Sequence, residues 1–344
     1  MSPLTHKIEE FLKQRLARLG YQIQRLHPAA VRISASGLSR LTSNVYLQDD
    51  GTSLFAVLRE ASALDVPAMR DGPINFVHVV NPYGVAHSIP EQQVAFASMR
   101  QARACYECRS GADTGGTVTF VAAAFEEDQA FASAEFGEVT LLHRSALDLA
   151  KFEVPRKLPL LFDVVAAGRA LAQPGDFVVY TNSDICLAPS FYAAVAVLLR
   201  SGFDAMTINR RTVEPYPLDP ALLPVMTASM GTRHPGFDCF VFPADWFDSF
   251  VPIQVVTGIP GVARGLLYNL LAHATKMVML NSVHLTFHIG NDRPWNDPRL
   301  ADYREFTVRE TRSIYQRLSG VQKERLHAFC GAYGEPAVYS GIAC

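Results

Sequence analysis

The sequence predicts an α/β protein built on a mostly parallel sheet flanked by helices, on three observations. Apolar runs of strand length alternate with stretches of helical periodicity. The runs are almost continuously apolar, which calls for cover on both faces of the sheet. Most of them halt at turn-forming or charged residues, as strands do where a sheet meets solvent.

Residues 4–19 place Leu4, Ile8, Phe11, Leu12, Leu16 and Leu19 near helical spacing, with Gly20 as a stop. The polar face of that helix carries Lys7, Lys13, Arg15 and Arg18 and would suit peripheral contact with a membrane surface. Glu9 and Glu10 dilute this charge, so a helix packed on the main domain is the plainer expectation. Segments 43–48 and 53–58, split by Asp49-Asp50-Gly51, predict a β-hairpin, and residues 1–70 together form a small N-terminal extension. The main domain is expected over 71–300. Its first strand, Ile74 to Val80, ends in Asn81-Pro82-Tyr83-Gly84, and a helix follows from about 90 to 108. A second strand, Thr117 to Ala124, runs into Phe125-Glu126-Glu127-Asp128. A helix near 158–172, with Leu158, Leu161, Phe162 and Val165 on one face, leads through Pro174-Gly175-Asp176 to a strand from Phe177 to Tyr180. Pro189 opens a helix reaching Arg200, and Phe203 to Ile208 is a further strand. Cys239 to Pro243, an apolar helix at 262–272 and an alternating strand from Leu280 to His288 complete the domain, with a C-terminal helical tail over 301–344.

Composition narrows the function classes. Across 344 residues, 49% hydrophobic and 19% charged residues exclude disorder as the dominant state. Lys and Arg total 31 against 33 Asp and Glu, a net charge of -2, which argues against a dedicated nucleic-acid binder. No apolar run approaches the roughly 18 residues of a membrane span, and the opening residues lack the apolar stretch of a secretory signal, so a soluble, cytoplasmic protein is expected. The six cysteines are too scattered to staple a chain of this size. Cys105-Tyr106-Glu107-Cys108 has no second pair to complete a zinc ribbon and reads as two thiols near a helix end. The glycine-rich signatures of dinucleotide-binding and P-loop enzymes, the nucleophile elbow of α/β-hydrolases and the zincin motif are all missing from the sequence.

Ligands of open α/β sheets bind at the carboxyl ends of the strands, so the polar residues there are the candidates. Three ends stand out: Asn81-Pro82-Tyr83, Glu126-Glu127-Asp128 and Thr181-Asn182-Ser183-Asp184. In the third, a buried run delivers a carboxylate beside core strands, which is costly unless the carboxylate is paired, hydrogen-bonded or bound to a cation. Capping of a turn or of the helix after Pro189 is the structural alternative for Asp184. The second half offers Arg233-His234-Pro235-Gly236-Phe237-Asp238 running directly into Cys239, which puts Asp238 at a strand start. Alternation along 280–288 puts His284, Thr286 and His288 on one strand face, followed by Gly290-Asn291-Asp292.

Taken in order, the helix, the Pro-Gly-Asp turn, the apolar strand and Tyr180-Thr181-Asn182-Ser183-Asp184-Ile185 resemble the DxD-type segment of nucleotide-sugar-dependent glycosyltransferases with the GT-A fold. Gly236-Phe237-Asp238-Cys239-Phe240-Val241-Phe242, the apolar helix and the strand ending in His288 are similar to the acceptor half of such enzymes. The likeness spans about residues 71 to 295. It implies a GT-A-like, Rossmann-like sheet and a glycosyltransferase that moves a sugar from a nucleotide-sugar donor, a UDP-sugar first among them, to a hydroxyl of a glycan or glycoconjugate. Asp184 matches the metal-binding acid of the DxD segment and His288 a late metal-ligating histidine, with Mn²⁺ or Mg²⁺ as the cofactor. Asn182 stands in place of the first acid, with Ser183 between them. Asn81, Pro82 and Tyr83 match the loop that holds the nucleoside, Glu126 the acid facing base or ribose, and Asp238 the acceptor-activating carboxylate. An Asp often found near the start of the acceptor-half helix is absent from Gly261-Val262-Ala263-Arg264-Gly265. Arg156 with Lys157, and Arg210 with Arg211, are candidates for the diphosphate or else solvated surface charge. Trp295 could stack on a sugar ring or anchor its loop. Two other readings share this architecture. A sugar-1-phosphate nucleotidyltransferase would need a glycine-rich, Arg-containing loop that Asn81-Pro82-Tyr83-Gly84 does not provide, and a non-catalytic nucleotide-sugar or glycan-binding protein would need none of the chemistry.

Overall fold

The computed structural model describes residues 45–48, 72–109, 116–234, 236–281, 283–291 and 297–333. The N-terminal helix expected over 4–19, the second arm of the hairpin and Trp295 lie outside the described residues. Twelve strands are described: β1 (Val45–Gln48), β2 (Phe76–Val80), β3 (Val118–Ala124), β4 (Val139–Leu141), β5 (Phe177–Thr181), β6 (Cys186–Leu187), β7 (Ala205–Ile208), β8 (Arg211–Val213), β9 (Thr232–Arg233), β10 (Cys239–Pro243), β11 (Lys276–Leu280) and β12 (Thr286–Ile289). The helices are α1 (Ile89–Arg109), α2 (Gln129–Phe136), α3 (Leu161–Leu171), α4 (Phe191–Arg200), α5 (Leu223–Ala228), α6 (Val262–His273), α7 (Ala301–Arg317) and α8 (Gly320–Tyr333).

Eight strands form the central sheet in the order β1-β11-β7-β10-β5-β2-β3-β4. Every pairing in it is parallel except the two made by β10, which runs antiparallel to both β5 and β7. The fold is thus α/β, with a mixed, mostly parallel sheet. Strand periodicity divides the core into two layers. Val77, Val79, Val178, Tyr180, Phe240 and Phe242 pack on one face with residues of α3 and α6. Phe76, Val80, Phe177, Val179, Val241 and Val278 pack on the other with residues of α1 and α4. Gly168 lets α3 approach β2 closely, since a Cβ there would lie 3.0 Å from that of Val79.

Two stretches differ from expectation. The single strand expected over 280–288 is two strands in different sheets: β11 ends at Leu280, the chain turns, and β12 joins a second sheet of order β6-β12-β8-β9. The apolar and polar alternation is real, but Asn281 and His284 occupy the turn region between them. Val45–Gln48, the first arm of the expected hairpin, forms the edge strand β1 and pairs in parallel with β11. At the other end of the chain, α7 and α8 pack on the core through Ile314, Leu318 and Leu326. Arg325 donates to the carbonyls of Ala272 and His273 at 3.2 and 3.1 Å, where α6 leaves acceptors unsatisfied. Among the described residues, no helix is long and apolar enough to cross a membrane.

Candidate active site

Register brings the candidate residues together. The parallel strands β5 and β7 end on the edge of the sheet where the antiparallel β10 begins, so that Cys239 pairs with Thr181 on one side and Ile208 on the other. The residues that flank these partners are Asn182, Asn209 with Arg210, and Asp238, all on one edge. The chain leaving β5, β7 and β11 then builds the second sheet beyond that edge. In it Phe287 pairs with Cys186, and His288 with Thr212. Thr286 Oγ1 donates to the Asn209 carbonyl at 3.2 Å and ties β12 to the end of β7.

These pairings set the His288 imidazole against Asp184, with Nε2 and Oδ2 3.3 Å apart. The other ring nitrogen, Nδ1, lies 3.0 Å from the Gly290 carbonyl. A carbonyl can only accept, so Nδ1 carries the hydrogen and the Nε2 lone pair faces a carboxylate oxygen. Two acceptors held this close require a cation between them, either a proton or a metal ion. Burial pushes the Asp184 carboxyl up, but the hydrogen bond and charge of His288, with help from Arg210, outweigh it and hold the group below its ordinary value. His288 mirrors this: burial lowers it, and Asp184 more than compensates, leaving it above the usual histidine range.

The pair fits a hard divalent ion. Ligands about 2.1 Å from one octahedral ion lie roughly 3 Å apart when adjacent, close to the observed spacing. The second Asp184 oxygen, Oδ1, is shielded from solvent and has no hydrogen-bond partner among the described residues, a state that coordination or a bound donor would relieve. Among the described residues no group of three or more His, Cys, Asp and Glu side chains is placed to hold an ion. Any ion would therefore draw its remaining ligands from water or substrate, as Mg²⁺ commonly does.

Asn182 accepts a hydrogen bond from the Tyr180 hydroxyl at 3.1 Å. Ser183 is buried between it and Asp184. Arg210, almost wholly buried, places Nη1 3.4 Å from Asp238 Oδ1, and the Asp238 side chain is 11% exposed. Burial, then the charges of Asp184 and Asp238, push the Tyr180 phenol upward, so both carboxylates are felt within one low-dielectric space. Arg211 turns away and donates to the carbonyls of Met230 and Gly231.

The nucleoside-loop candidates lie at the end of β2. Gln92 of α1, fully buried, clasps the Tyr83 backbone: its Oε1 accepts from Tyr83 N at 3.1 Å and its Nε2 donates to Tyr83 O at 2.8 Å. Asn81 Nδ2 donates to the Ala123 carbonyl at 2.7 Å, and Asp128 Oδ1 accepts from Gly84 N at 2.7 Å, so β3 braces the same loop. Pro82 is buried between these anchors. The Tyr83 phenol is raised first by burial and then by the charge of Asp184. Glu126 is exposed in the short 3-10 turn that follows β3.

Some candidates are engaged elsewhere. Arg156 pairs with Asp297 at 3.1 Å, and Lys157 with Glu127 at 2.7 Å. His284 lies in the turn before β12, with Nε2 2.8 Å from the Thr227 carbonyl, and does not share a strand face with His288. Sequence reasoning marked Asp128 within the strand end Glu126-Glu127-Asp128 without its bracing role, and missed Gln92, which holds the Tyr83 backbone. The one available signal for Gln92 was its place two residues before the apolar run Val94-Ala95-Phe96, on the same helix.

No family model matches the chain, and no curated protein matches its sequence. Among solved structures, the chain is similar to Staphylococcus aureus TarS 1-349 in complex with UDP-GlcNAc, with 11% identity over 76% of this chain and 72% of that one and a TM-score of 0.44. It is also similar to glucosyl-3-phosphoglycerate synthase from Mycobacterium tuberculosis in complex with Mn²⁺, UDP and glucosyl-3-phosphoglycerate, with 15% identity over 80% and 88% of the two chains and a TM-score of 0.41. The same enzyme with Mg²⁺ and UDP gives 14% identity, 88% and 90% coverage and a TM-score of 0.38.

Proposed function

We propose that this protein is a divalent-metal-dependent glycosyltransferase of the GT-A type, moving a sugar from a UDP-sugar to a hydroxyl of a glycan or glycoconjugate. The observation that carries the reading is the Asp184–His288 pair, two acceptors 3.3 Å apart at the carboxyl edge of an α/β sheet. In this reading Asp184 Oδ2 and His288 Nε2 hold Mn²⁺ or Mg²⁺, with the imidazole favouring the softer Mn²⁺. The bound ion would supply Lewis-acid stabilisation of the charge that grows on the departing diphosphate. Gly290 fixes the His288 ring and tautomer through its carbonyl, the orienting role that outer partners take at metal sites. Asn81, Pro82 and Tyr83 seat the nucleoside, with Gln92 and Asp128 keeping that loop in shape. Asn182 and Ser183 line the diphosphate, and Glu126, at the end of β3, reaches toward base or ribose.

Calorimetry with UDP-sugars in the presence of Mn²⁺, followed by assay of UDP release with hydroxyl acceptors, tests the reading. Wild-type protein should bind and turn over at least one donor, and Asp184→Ala should lose metal-dependent binding while keeping its circular dichroism. Binding with no turnover against a broad acceptor panel would favour a nucleotide-sugar-binding protein, and undiminished donor turnover by Asp184→Ala would remove the pair from the mechanism.

A further inference from the structure

Tyr180 and Asn182 meet because alternation along β5 turns residues two apart to the same face of the sheet. Thr181 between them is fully buried, with its Oγ1 2.9 Å from His78 Nε2, and this contact pins the end of the strand. Just beyond, Ile185 N donates to the Asn182 carbonyl at 3.3 Å and closes a turn. Asn182 and Asp184 therefore leave the sheet edge from one tight turn.

An amide has two unlike ends, and Tyr180 decides which of them is presented. Tyr180 is 5% exposed, and burial with the charges of Asp184 and Asp238 keeps the proton on its phenol. A buried hydroxyl proton needs an acceptor, and among the described residues Asn182 Oδ1, at 3.1 Å, is the one it has. The reversed amide would set N–H donors against the hydroxyl and leave the phenol proton stranded. With Oδ1 engaged in this way, Nδ2 is the outward end. Asn182 is half-buried, and its Nδ2 is open to solvent and has no hydrogen-bond partner among the described residues.

The oxygens of an ionised diphosphate only accept, so an outward N–H suits them and an outward carbonyl does not. An acid in this position, as the resemblance has it, would offer acceptors alone. We propose that Asn182 gives an Nδ2 hydrogen to a diphosphate oxygen of the donor instead of ligating the metal, and that Tyr180 is the positioning residue that turns the amide this way. This inference rests on the glycosyltransferase reading above and deepens it, since it leaves Asp184 and His288 as the protein's ligands to the ion.

The test is a double-mutant cycle on UDP binding, measured by calorimetry without any acceptor, using wild type, Tyr180→Phe, Asn182→Ala and the double variant at rising Mn²⁺. Tyr180→Phe keeps the ring that packs with Val178 and Phe240, which protects folding. Loss of a hydrogen bond to a charged oxygen should weaken UDP roughly 10–100-fold in Asn182→Ala, and the loss should persist at saturating Mn²⁺. Tyr180→Phe should weaken UDP roughly 2–10-fold by freeing the amide to turn, and should add nothing in the Asn182→Ala background. Uridine, which lacks the diphosphate, should bind all four proteins alike. A loss in Asn182→Ala that vanishes as Mn²⁺ is raised would make Asn182 a metal ligand and overturn the inference. So would a loss shared by uridine, which moves the contact off the diphosphate. Unchanged or tighter UDP binding in Tyr180→Phe, or an equal loss in both backgrounds, refutes the positioning role. Wild-type protein that does not bind UDP with Mn²⁺ overturns the parent reading instead, so the two failures are distinguishable.

Discussion

Metal affinity at this site should depend on pH with a sign and slope that the Asp184–His288 pair fixes. The perturbation is a pH series from 5.5 to 8.5. His288 titrates above the usual histidine value because Asp184 outweighs the effect of burial, and metal coordination requires its Nε2 lone pair. Below the folded His288 pKa each bound ion must displace one proton, so affinity should fall about tenfold per pH unit. Above it, affinity should level off. Asp184 titrates below the ordinary carboxylate value, so it stays ionised across this window and adds no slope. The assay is calorimetric titration of Mn²⁺ in the presence of a UDP-sugar, whose diphosphate has no proton to lose in this range, in two buffers of different ionisation heat. Proton release should approach one per ion at the acid end and fall toward zero through a midpoint above 6.5, the ordinary histidine value. His288→Gln should bind Mn²⁺ more weakly and without the slope. Affinity that is flat between pH 6 and 8, or the same slope in His288→Gln, refutes the reasoning. The metal-free stability linkage runs the other way. The stabilisation from raising His288 is present below the unfolded pKa and lost as pH rises through the folded one, while that from Asp184 is present above its unfolded pKa and lost as pH falls through the folded one.

Three further perturbations separate the site from its supports. His78, fully buried between Tyr192 and Thr181 at 2.7 and 2.9 Å, is held neutral by burial, its pKa pushed down to about 3. The unfolded chain therefore binds the extra proton below about pH 6.5, and stability in urea titrations should drop by roughly 2 kcal/mol between pH 6.5 and 4.5, a loss that His78→Gln should remove. Gln92→Leu keeps the volume but leaves Tyr83 N and O without their partner; a cost of about 1–3 kcal/mol in thermal or urea unfolding and weaker UDP binding in the folded protein are expected. Gly231 has φ +54, and a Cβ there would lie 2.3 Å from the Thr212 carbonyl oxygen. Gly231→Ala should displace β8 or the Arg211 anchor, lower stability by about 1–3 kcal/mol, and weaken Mn²⁺ binding through His288, which pairs with Thr212.

The sheet was legible because buried parallel strands must be apolar throughout, and Ile74 to Val80, Thr117 to Ala124 and Phe177 to Tyr180 each predict a strand within a few residues of β2, β3 and β5. The strand ends were legible for the complementary reason: Asn81-Pro82 and Asn182-Ser183-Asp184 break that pattern where the chain leaves the core. The division of 280–288 was not. An alternating stretch looks the same whether it lies in one sheet or turns between two, and a hydrogen bond from Thr286 to Asn209, 77 positions away, decides it. The partner of Asp238 was equally hidden. Arg210 and Arg211 read alike in sequence, and what buries Arg210 against Asp238 is the place of β10 between β5 and β7, a long-range pairing with no local trace.

In the proposed reading, charge balance would couple the pair to the donor. With a proton shared between His288 and Asp184, the cluster of Asp184, Asp238, His288 and Arg210 is neutral. Adding a diphosphate of charge -2 to this partly desolvated space would leave both charges uncompensated, at a cost that low dielectric makes steep. Replacing the proton by a divalent ion brings the cluster to +1, and the donor then returns it only to -1. Two protein ligands cannot complete an octahedral shell, so the ion in turn needs the oxygens that the diphosphate carries. Each partner would supply what the other lacks, so on the proposed reading binding of cation and donor would be mutually reinforcing. Arg210 sharpens the effect: without its positive charge the metal-bound cluster would be neutral and the donor-bound state would carry -2. Where the resemblance would put a second acid the sequence has Asn182, and in the proposed reading the same arithmetic would favour this. A further carboxylate would bring the metal-loaded cluster to zero and remove the net attraction that draws in the diphosphate.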